Sequence, residues 1–206
     1  MNPASRERIE IVIGSRNPGK LVEIEAILQT FPVKLRSLAE FPDAPEVEET
    51  GTTFQENAEK KALELAAHLA RKVLADDSGL EVDALDGAPG IYSARYAGEH
   101  GDNEANNRKL LENLEGLPLE QRTARFRCVI ALAEPGRVLL TADGACEGQI
   151  AFSPRGTNGF GYDPVFLYPP DNMTFGELNE SLKNKVSHRA NALHQLREQL
   201  KDIFNK

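Results

Sequence analysis

The chain has 206 residues, 40% hydrophobic and 27% charged, the size and balance of one well-buried domain, which excludes intrinsic disorder and a collagen-like repeat. Its formal net charge of −8 excludes a protein that coats nucleic acid, because such binding neutralises phosphates with Lys and Arg. No apolar run approaches the ~18 residues of a membrane span, residues 1–8 lack the apolar stretch of a secretory signal, and Cys128 and Cys146 make neither a disulfide framework nor a zinc motif, so a cytoplasmic protein without membrane contact is expected.

The β-branched run Ile9-Glu10-Ile11-Val12-Ile13 stops at Gly14 and predicts a buried strand. A helix follows, with Asn17 as N-cap, Pro18 as first residue, and Leu21, Ile24, Ile27 and Leu28 recurring on one face until Phe31-Pro32. A second helix starts near Thr53, where T-F-Q-E forms a capping box with Glu56, and turns Phe54, Ala58, Ala62, Leu65 and Leu69 inward. Val73-Leu74-Ala75 predicts a short strand ending in acids. Beyond a Gly/Pro-rich loop at 87–98, a polar helix from about Asp102 to Glu115 buries Leu110, Leu111 and Leu114. Alternation of Phe126, Cys128, Ile130 and Leu132 predicts a strand, with further antiparallel strands at 138–142 and 147–150 joined by E-P-G-R and D-G turns. A last helix, capped by Ser187, carries Leu193, Leu196, Leu200 and Ile203. This order predicts an α/β fold, a mixed parallel and antiparallel sheet flanked by helices, with no internal repeat.

Gly14-Ser15-Arg16-Asn17-Pro18-Gly19-Lys20 sits between a strand and a helix, where backbone N–H groups and the helix dipole hold phosphate oxygens. The string G-x-x-x-x-G-K is complete, but Leu21 has no oxygen for Mg²⁺; a true P-loop is disfavoured, and a Gly-rich turn with a solvated lysine stays the alternative. Asp76 and Asp77 end an apolar strand, the position where open α/β sheets gather ligands. Adjacent residues of an extended chain face opposite ways, so one aspartate is expected in a cleft, suited to a hard cation such as Mg²⁺, and the other against the local backbone. Glu46, Glu48 and Glu49 form an acidic loop whose plain reading is a solvated one. Lys61, one helical turn from Asn57, is either a phosphate ligand or a surface lysine. In the glycine-rich loop 155–164, Phe160 and Tyr162 are either a base-stacking platform or a buried anchor, with Asp163 free to hydrogen-bond. Residues 181–190 bring Lys183, Lys185, His188 and Arg189 without an acid, either a local reversal of the negative field or a solvated helix entry. Together these parts complement a nucleoside triphosphate.

The blocks S-R-N-P-G-K (15–20), E-E-T-G-T-T-F-Q-E-N-A-E-K-K-A (48–62), A-D-D-S-G-L (75–80), G-A-P-G-I-Y-S-A-R-Y-A-G (87–98), F-G-Y-D-P-V-F (160–166) and S-H-R-A (187–190) occur in the order seen in the inosine triphosphate pyrophosphatase family. The chain resembles that family from about Ile9 onward, which makes 9–206 one domain and 1–8 an N-terminal extension. The resemblance implies a homodimer of two-lobed subunits with the active site in the cleft between lobes. It implies Mg²⁺-dependent hydrolysis of ITP, dITP or XTP to the monophosphate and pyrophosphate, clearing deaminated purines from the nucleotide pool.

By motif, the resemblance places Ser15, Arg16, Asn17, Pro18, Gly19 and Lys20 around the triphosphate, helped by Lys61, with Asp77 as general base and Mg²⁺ ligand. Glu48 is the implied second metal carboxylate, with Glu49 beside it as a rival. Ser78 contacts substrate, Phe160, Gly161, Tyr162 and Asp163 hold the base, and Lys183, His188 and Arg189 complete the site. Arg16 departs from the small or neutral residue relatives often carry there. Donors on His188 and Arg189 suit the 6-keto oxygen of hypoxanthine or xanthine, where adenine presents an amino group. Two other classes stay open: a regulator that binds a triphosphate without hydrolysing it, disfavoured by the Asp76-Asp77 pair, and a P-loop kinase, disfavoured by Leu21.

Overall fold

The computed structural model describes residues 9–29 and 32–204, with side chains to Leu200; the extension 1–8 and the Phe31 helix stop lie outside the described residues, and the side chain of Ile203 outside the described side chains. The strands are β1 (Ile9–Ile13), β2 (Val33–Ser37), β3 (Val73–Val82), β4 (Thr123–Glu134), β5 (Arg137–Ile150), β6 (Phe166–Tyr168) and β7 (Met173–Thr174). The helices are α1 (Pro18–Leu28), α2 (Phe54–Leu69), α3 (Asn103–Asn113), α4 (Glu180–Val186) and α5 (His188–Phe204). All seven strands join one sheet in the order β2-β1-β3-β4-β5-β6-β7, parallel from β2 to β3 and antiparallel from β3 onward, as the mixed α/β reading requires.

Each face is covered by the apolar stripe of a helix. Ile24 and Leu28 of α1 and Leu193 and Leu196 of α5 pack with Leu74, Ile130 and Leu132 on one side. On the other, Ala58, Ala62 and Leu65 of α2 pack with Val12, Val73, Ala75 and Val129. A third cluster at the antiparallel end joins Leu80, Phe126, Phe166 and Phe175 to Leu110 and Leu114 of α3.

Several local expectations are corrected by tertiary pairing. The strand expected to stop at the acids runs on to Val82, because Asp76, Asp77 and Ser78 pair with Ile130, Val129 and Cys128 of β4, and this ladder overrides the turn chemistry of Asp-Ser-Gly. The parallel pairing with β1 does end at Leu74, so both aspartates lie just beyond the carboxyl end of the parallel ladder. The expected Asp143-Gly144 turn is mid-strand in β5. Gly144 serves a different need there: a Cβ would come within 2.3 Å of the Ala192 nitrogen and the His188 carbonyl, so only glycine lets α5 lie this close to the sheet. The Thr53 cap is half a capping box, since Thr53 accepts from the Glu56 N–H while the Glu56 carboxylate accepts from Thr52 instead. The elements β2, β6, β7 and α4 are additions to the sequence reading; β6, β7 and α4 are too short to print a period of their own, whereas β2 alternates Val33 and Leu35 with Lys34 and Arg36, a strand signal that was passed over.

Candidate active site

A cleft of about 650 Å³ is lined by Ser15, Arg16, Asn17 and Lys20 from the β1–α1 turn, by Glu48, Glu49 and Lys61, by Asp77 and Ser78 of β3, by Phe160, Gly161, Tyr162 and Asp163, and by Lys183, His188 and Arg189. The tertiary fold thus gathers residues from six separated blocks into one cavity of the size that takes a small-molecule ligand. Pro18 is the first residue of α1, and Gly19 lies under the Phe160 ring, where a Cβ would meet the ring at 2.6 Å.

In the β1–α1 turn, Asn17 Oδ1 accepts from the Gly19 N–H at 2.9 Å and the Lys20 N–H at 3.3 Å. Two backbone donors expected for phosphate are therefore spent on the N-cap, and the turn offers the helix dipole and the Lys20 ammonium instead. Arg16 reaches away along the acidic loop and donates to the Ala44 carbonyl at 2.8 Å.

The pleat of β3 sends its two aspartates to opposite sides, as expected, though both are buried. Asp76 faces α1 and α5, where Lys20 lies at 2.9 Å and Arg189 at 3.3 Å. Burial alone would raise its pKa, but Lys20, Arg189 and Lys61 drive it well below the ordinary carboxylate range. Its partners are these cations and the Ser78 hydroxyl, which donates at 3.3 Å, not the local backbone. Asp77 faces α2 and the cleft, accepting from Asn57 Nδ2 at 3.0 Å and from the Ser78 N–H at 2.9 Å. Burial, and after it the Glu49 carboxylate, push its pKa up to about 6.

Of the two candidate glutamates, the structure turns Glu49 toward Asp77. Glu48 is exposed at the rim, and its backbone carbonyl accepts from Lys60 Nζ at 2.8 Å. Glu49 Oε1 receives Lys61 Nζ at 2.5 Å, and Lys61 also donates to the Asp76 carbonyl at 3.1 Å. Burial pulls the Lys61 pKa down, but Glu49 and then Asp76 hold it above its usual value, so it is a charged cleft lysine and not a surface one. Both glutamates line the cleft, and Glu49, the rival of the implied metal carboxylate Glu48, is the one that pairs with Lys61 and acts on Asp77.

Asp77 and Glu49 are hard oxygen donors that repel one another, and a divalent cation between them replaces that repulsion with attraction. Among the described residues no group of three or more His, Cys, Asp or Glu could hold a metal alone. This donor set fits an ion that keeps waters and shares the oxygens of a phosphate.

At the other end of the cleft, Lys183 bridges Asp163 at 2.7 Å and Glu23 at 2.8 Å, and Glu23 also pairs with Arg189. Arg189 Nη2 donates to Ser78 Oγ at 3.1 Å. Lys183, His188 and Arg189 of the basic segment are therefore buried while Lys185 stays exposed, and the buried cations arrive already paired, because a bare buried charge is costly. Burial lowers the His188 pKa well below its usual value, and the ring, neutral, stacks on Phe126 at 4.7 Å with Nδ1 unpartnered. Phe160 lies half-buried with Lys183 Nζ 4.9 Å from its centroid. Tyr162 is the anchor of the pair, buried, with its hydroxyl donating to the Ser93 carbonyl at 2.9 Å. Asp163 holds the loop by accepting from the Phe160 N–H at 2.7 Å.

Glu23, Asn57 and Phe126 are site residues that sequence reasoning passed over. Glu23 follows Lys20 by three residues beside the buried Ile24, and Asn57 interrupts the apolar stripe of α2 one turn before Lys61. A polar residue on an otherwise buried face was the available signal for both. Phe126 reads simply as core.

Residues 11–199 match the Ham1 family. The chain is 51% identical over 197 residues to the dITP/XTP pyrophosphatase of Shouchella clausii, covering 96% of this chain and 99% of that protein. It is 56% identical over 190 residues to the dITP/XTP pyrophosphatase of Geobacter sulfurreducens, covering 92% and 96%. Among solved structures it is similar to a HAM1 protein from Coxiella burnetii, with a TM-score of 0.85, 44% identity, and 94% and 99% of the two chains covered. The Staphylococcus aureus Ham1 protein gives 0.83 at 44% identity, with 94% and 98% covered.

Proposed function

The chain belongs to the Ham1 family, and from that membership we propose that it hydrolyses the non-standard purine nucleotides ITP, dITP and XTP to the monophosphate and pyrophosphate. The observation that carries the reading is Asp77, a carboxylate with a pKa of about 6, facing Glu49 in a cleft that also holds Lys20 and Lys61.

A general base works best when its pKa lies near the working pH, and Asp77 meets that condition. Asn57 and the Ser78 N–H each hold one of its oxygens, which leaves lone pairs aimed at the cleft. Asp77 takes the proton of a water whose oxygen bonds to the α-phosphorus; the bond from that phosphorus to the β-bridging oxygen breaks, and its electron pair leaves with pyrophosphate. Lys20 and Lys61 exchange carboxylate partners for phosphate oxygens as substrate enters. Asp77 and Glu49 are the residues that would hold Mg²⁺, which when bound polarises phosphoryl oxygens and offsets their charge. At the base end, the Phe160 ring offers a stacking face and the neutral His188 an N–H for the 6-keto oxygen, while Arg189, its donors shared with Glu23, Asp76 and Ser78, orders that wall. The domain acts as a homodimer in the cytoplasm; among the described residues no helix is long and apolar enough to cross a membrane.

Incubation with ITP and Mg²⁺, with separate assays for pyrophosphate and orthophosphate, tests the reaction. Pyrophosphate is expected first, ATP and GTP are expected to be much poorer substrates, and EDTA should abolish turnover until Mg²⁺ is restored. Orthophosphate as first product, or equal turnover of ATP, overturns the reading. Sedimentation of the full chain checks the dimer.

A further inference from the structure

The 3₁₀ segment Gly90–Arg95 brings another cation to the cleft, and its partners distinguish it from the cleft lysines. Lys20, Lys61 and Lys183 each lie 2.5–2.9 Å from a carboxylate, so their charge is committed before substrate arrives. Arg95 Nη1 stands 3.9 Å from Glu49 Oε2, within Coulombic reach but too far for a hydrogen bond, while the other Glu49 oxygen is taken by Lys61. Its guanidinium keeps its donor fork for a further acceptor.

The local structure holds that guanidinium in place. Ser93, two residues earlier, is buried; its hydroxyl accepts from the Leu80 N–H at 2.9 Å and donates to the Gly90 carbonyl at 2.6 Å, and its carbonyl accepts from Tyr162. Tyr92 is 57% exposed, and the Arg95 guanidinium lies 5.2 Å from its ring centroid. An exposed tyrosine ring has little to bury; as a platform under a cation it has a role.

Resting on the proposed reaction, we propose that Arg95 is a catalytic residue for the leaving group, with Tyr92 as its positioning residue. Any phosphate oxygen near both Asp77 and Glu49 is within a few ångströms of the group that Arg95 already faces, and a planar fork matches two phosphate oxygens. As water oxygen bonds to the α-phosphorus and its proton passes to Asp77, the electron pair of the breaking bond stays on pyrophosphate, and Arg95 neutralises that charge on the β- and γ-phosphates.

The test is calorimetric binding of inorganic pyrophosphate and of IMP to the full chain and to Arg95→Gln, Arg95→Lys and Tyr92→Leu, without and with Mg²⁺, alongside kcat and KM for ITP. Arg95→Gln should weaken pyrophosphate by roughly tenfold or more and lower kcat similarly, with IMP affinity changed less than about twofold. Arg95→Lys should recover part of the loss. Tyr92→Leu, at an exposed position that folding tolerates, should shift pyrophosphate a few-fold in the same direction and again spare IMP. Unchanged pyrophosphate binding in Arg95→Gln, or equal loss of pyrophosphate and IMP, overturns the proposal and leaves Arg95 a brace for Glu49. Orthophosphate release by the unmodified protein would instead overturn the pyrophosphatase reading and the leaving-group role with it, whereas pyrophosphate release with unchanged Arg95→Gln binding overturns Arg95 alone.

Discussion

Asp76 and Asp77 are neighbours on one strand, and the two faces of β3 treat them in opposite ways. On the Asp76 face, Lys20 and Arg189 converge on one carboxylate and hold it ionised. On the Asp77 face, burial acts with a second carboxylate, Glu49, and the Asn57 hydrogen bond together with the charges of Lys61 and Lys20 offsets them only in part, so the same side chain clings to its proton up to about pH 6. The difference teaches that residue type does not assign chemistry here. A carboxylate saturated with cations is a structural clamp, and one short of cations is a base in want of a metal and a proton.

The contrast breaks most visibly on the Asp76 side. Asp76→Asn leaves Lys20 and Arg189 short of a counter-charge in a buried setting and should cost about 3–5 kcal/mol in denaturant unfolding at pH 8. Because its folded pKa is depressed, the stability Asp76 contributes is present above the unfolded value near 4 and is lost as the pH falls further. Acid unfolding curves of the parent and Asp76→Asn should therefore converge below that point.

Asp77→Asn should lower kcat by about two orders of magnitude while nucleotide binding survives. Its effect on folding has the opposite sign. The raised pKa means that the folded state binds the proton more tightly, so the parent loses stability as the pH rises from about 4 through 6. In EDTA, Asp77→Asn should be more stable than the parent at pH 8, by about 1–3 kcal/mol, and equal to it near pH 4. Greater damage to turnover from Asp76→Asn than from Asp77→Asn would reverse the roles of the two faces.

A finer comparison lies within the 48–49 pair. Glu49→Gln should raise the Mg²⁺ concentration for half-maximal activity roughly tenfold or more, since it removes the carboxylate that faces Asp77. Glu48→Gln, at the exposed rim, should shift it by no more than about twofold. Equal effects would mean that both glutamates share the ion.

The local signals were legible wherever a segment is governed by its own residues. Ile9–Ile13, the Asn17 cap with Pro18, the stripe of α2, the polar helix α3 with Leu110 buried and the Ser187 cap of α5 all form as read, because capping and amphipathic burial act within a few residues. The six motif blocks likewise hold about two thirds of the residues that line the cleft. Partnership across the chain decided the rest. Whether Asp-Ser-Gly and Asp-Gly turn or extend depended on β4 and α5 lying alongside, and whether Glu48 or Glu49 pairs with Lys61 depended on how residues 48–49 meet α2. The charge state of the site followed the same rule. A sequence shows how many carboxylates and cations a protein has, but Coulomb forces fall with distance and strengthen with burial, so only the packing of α1, α2 and α5 around β3 determined which aspartate is clamped and which is poised to take a proton.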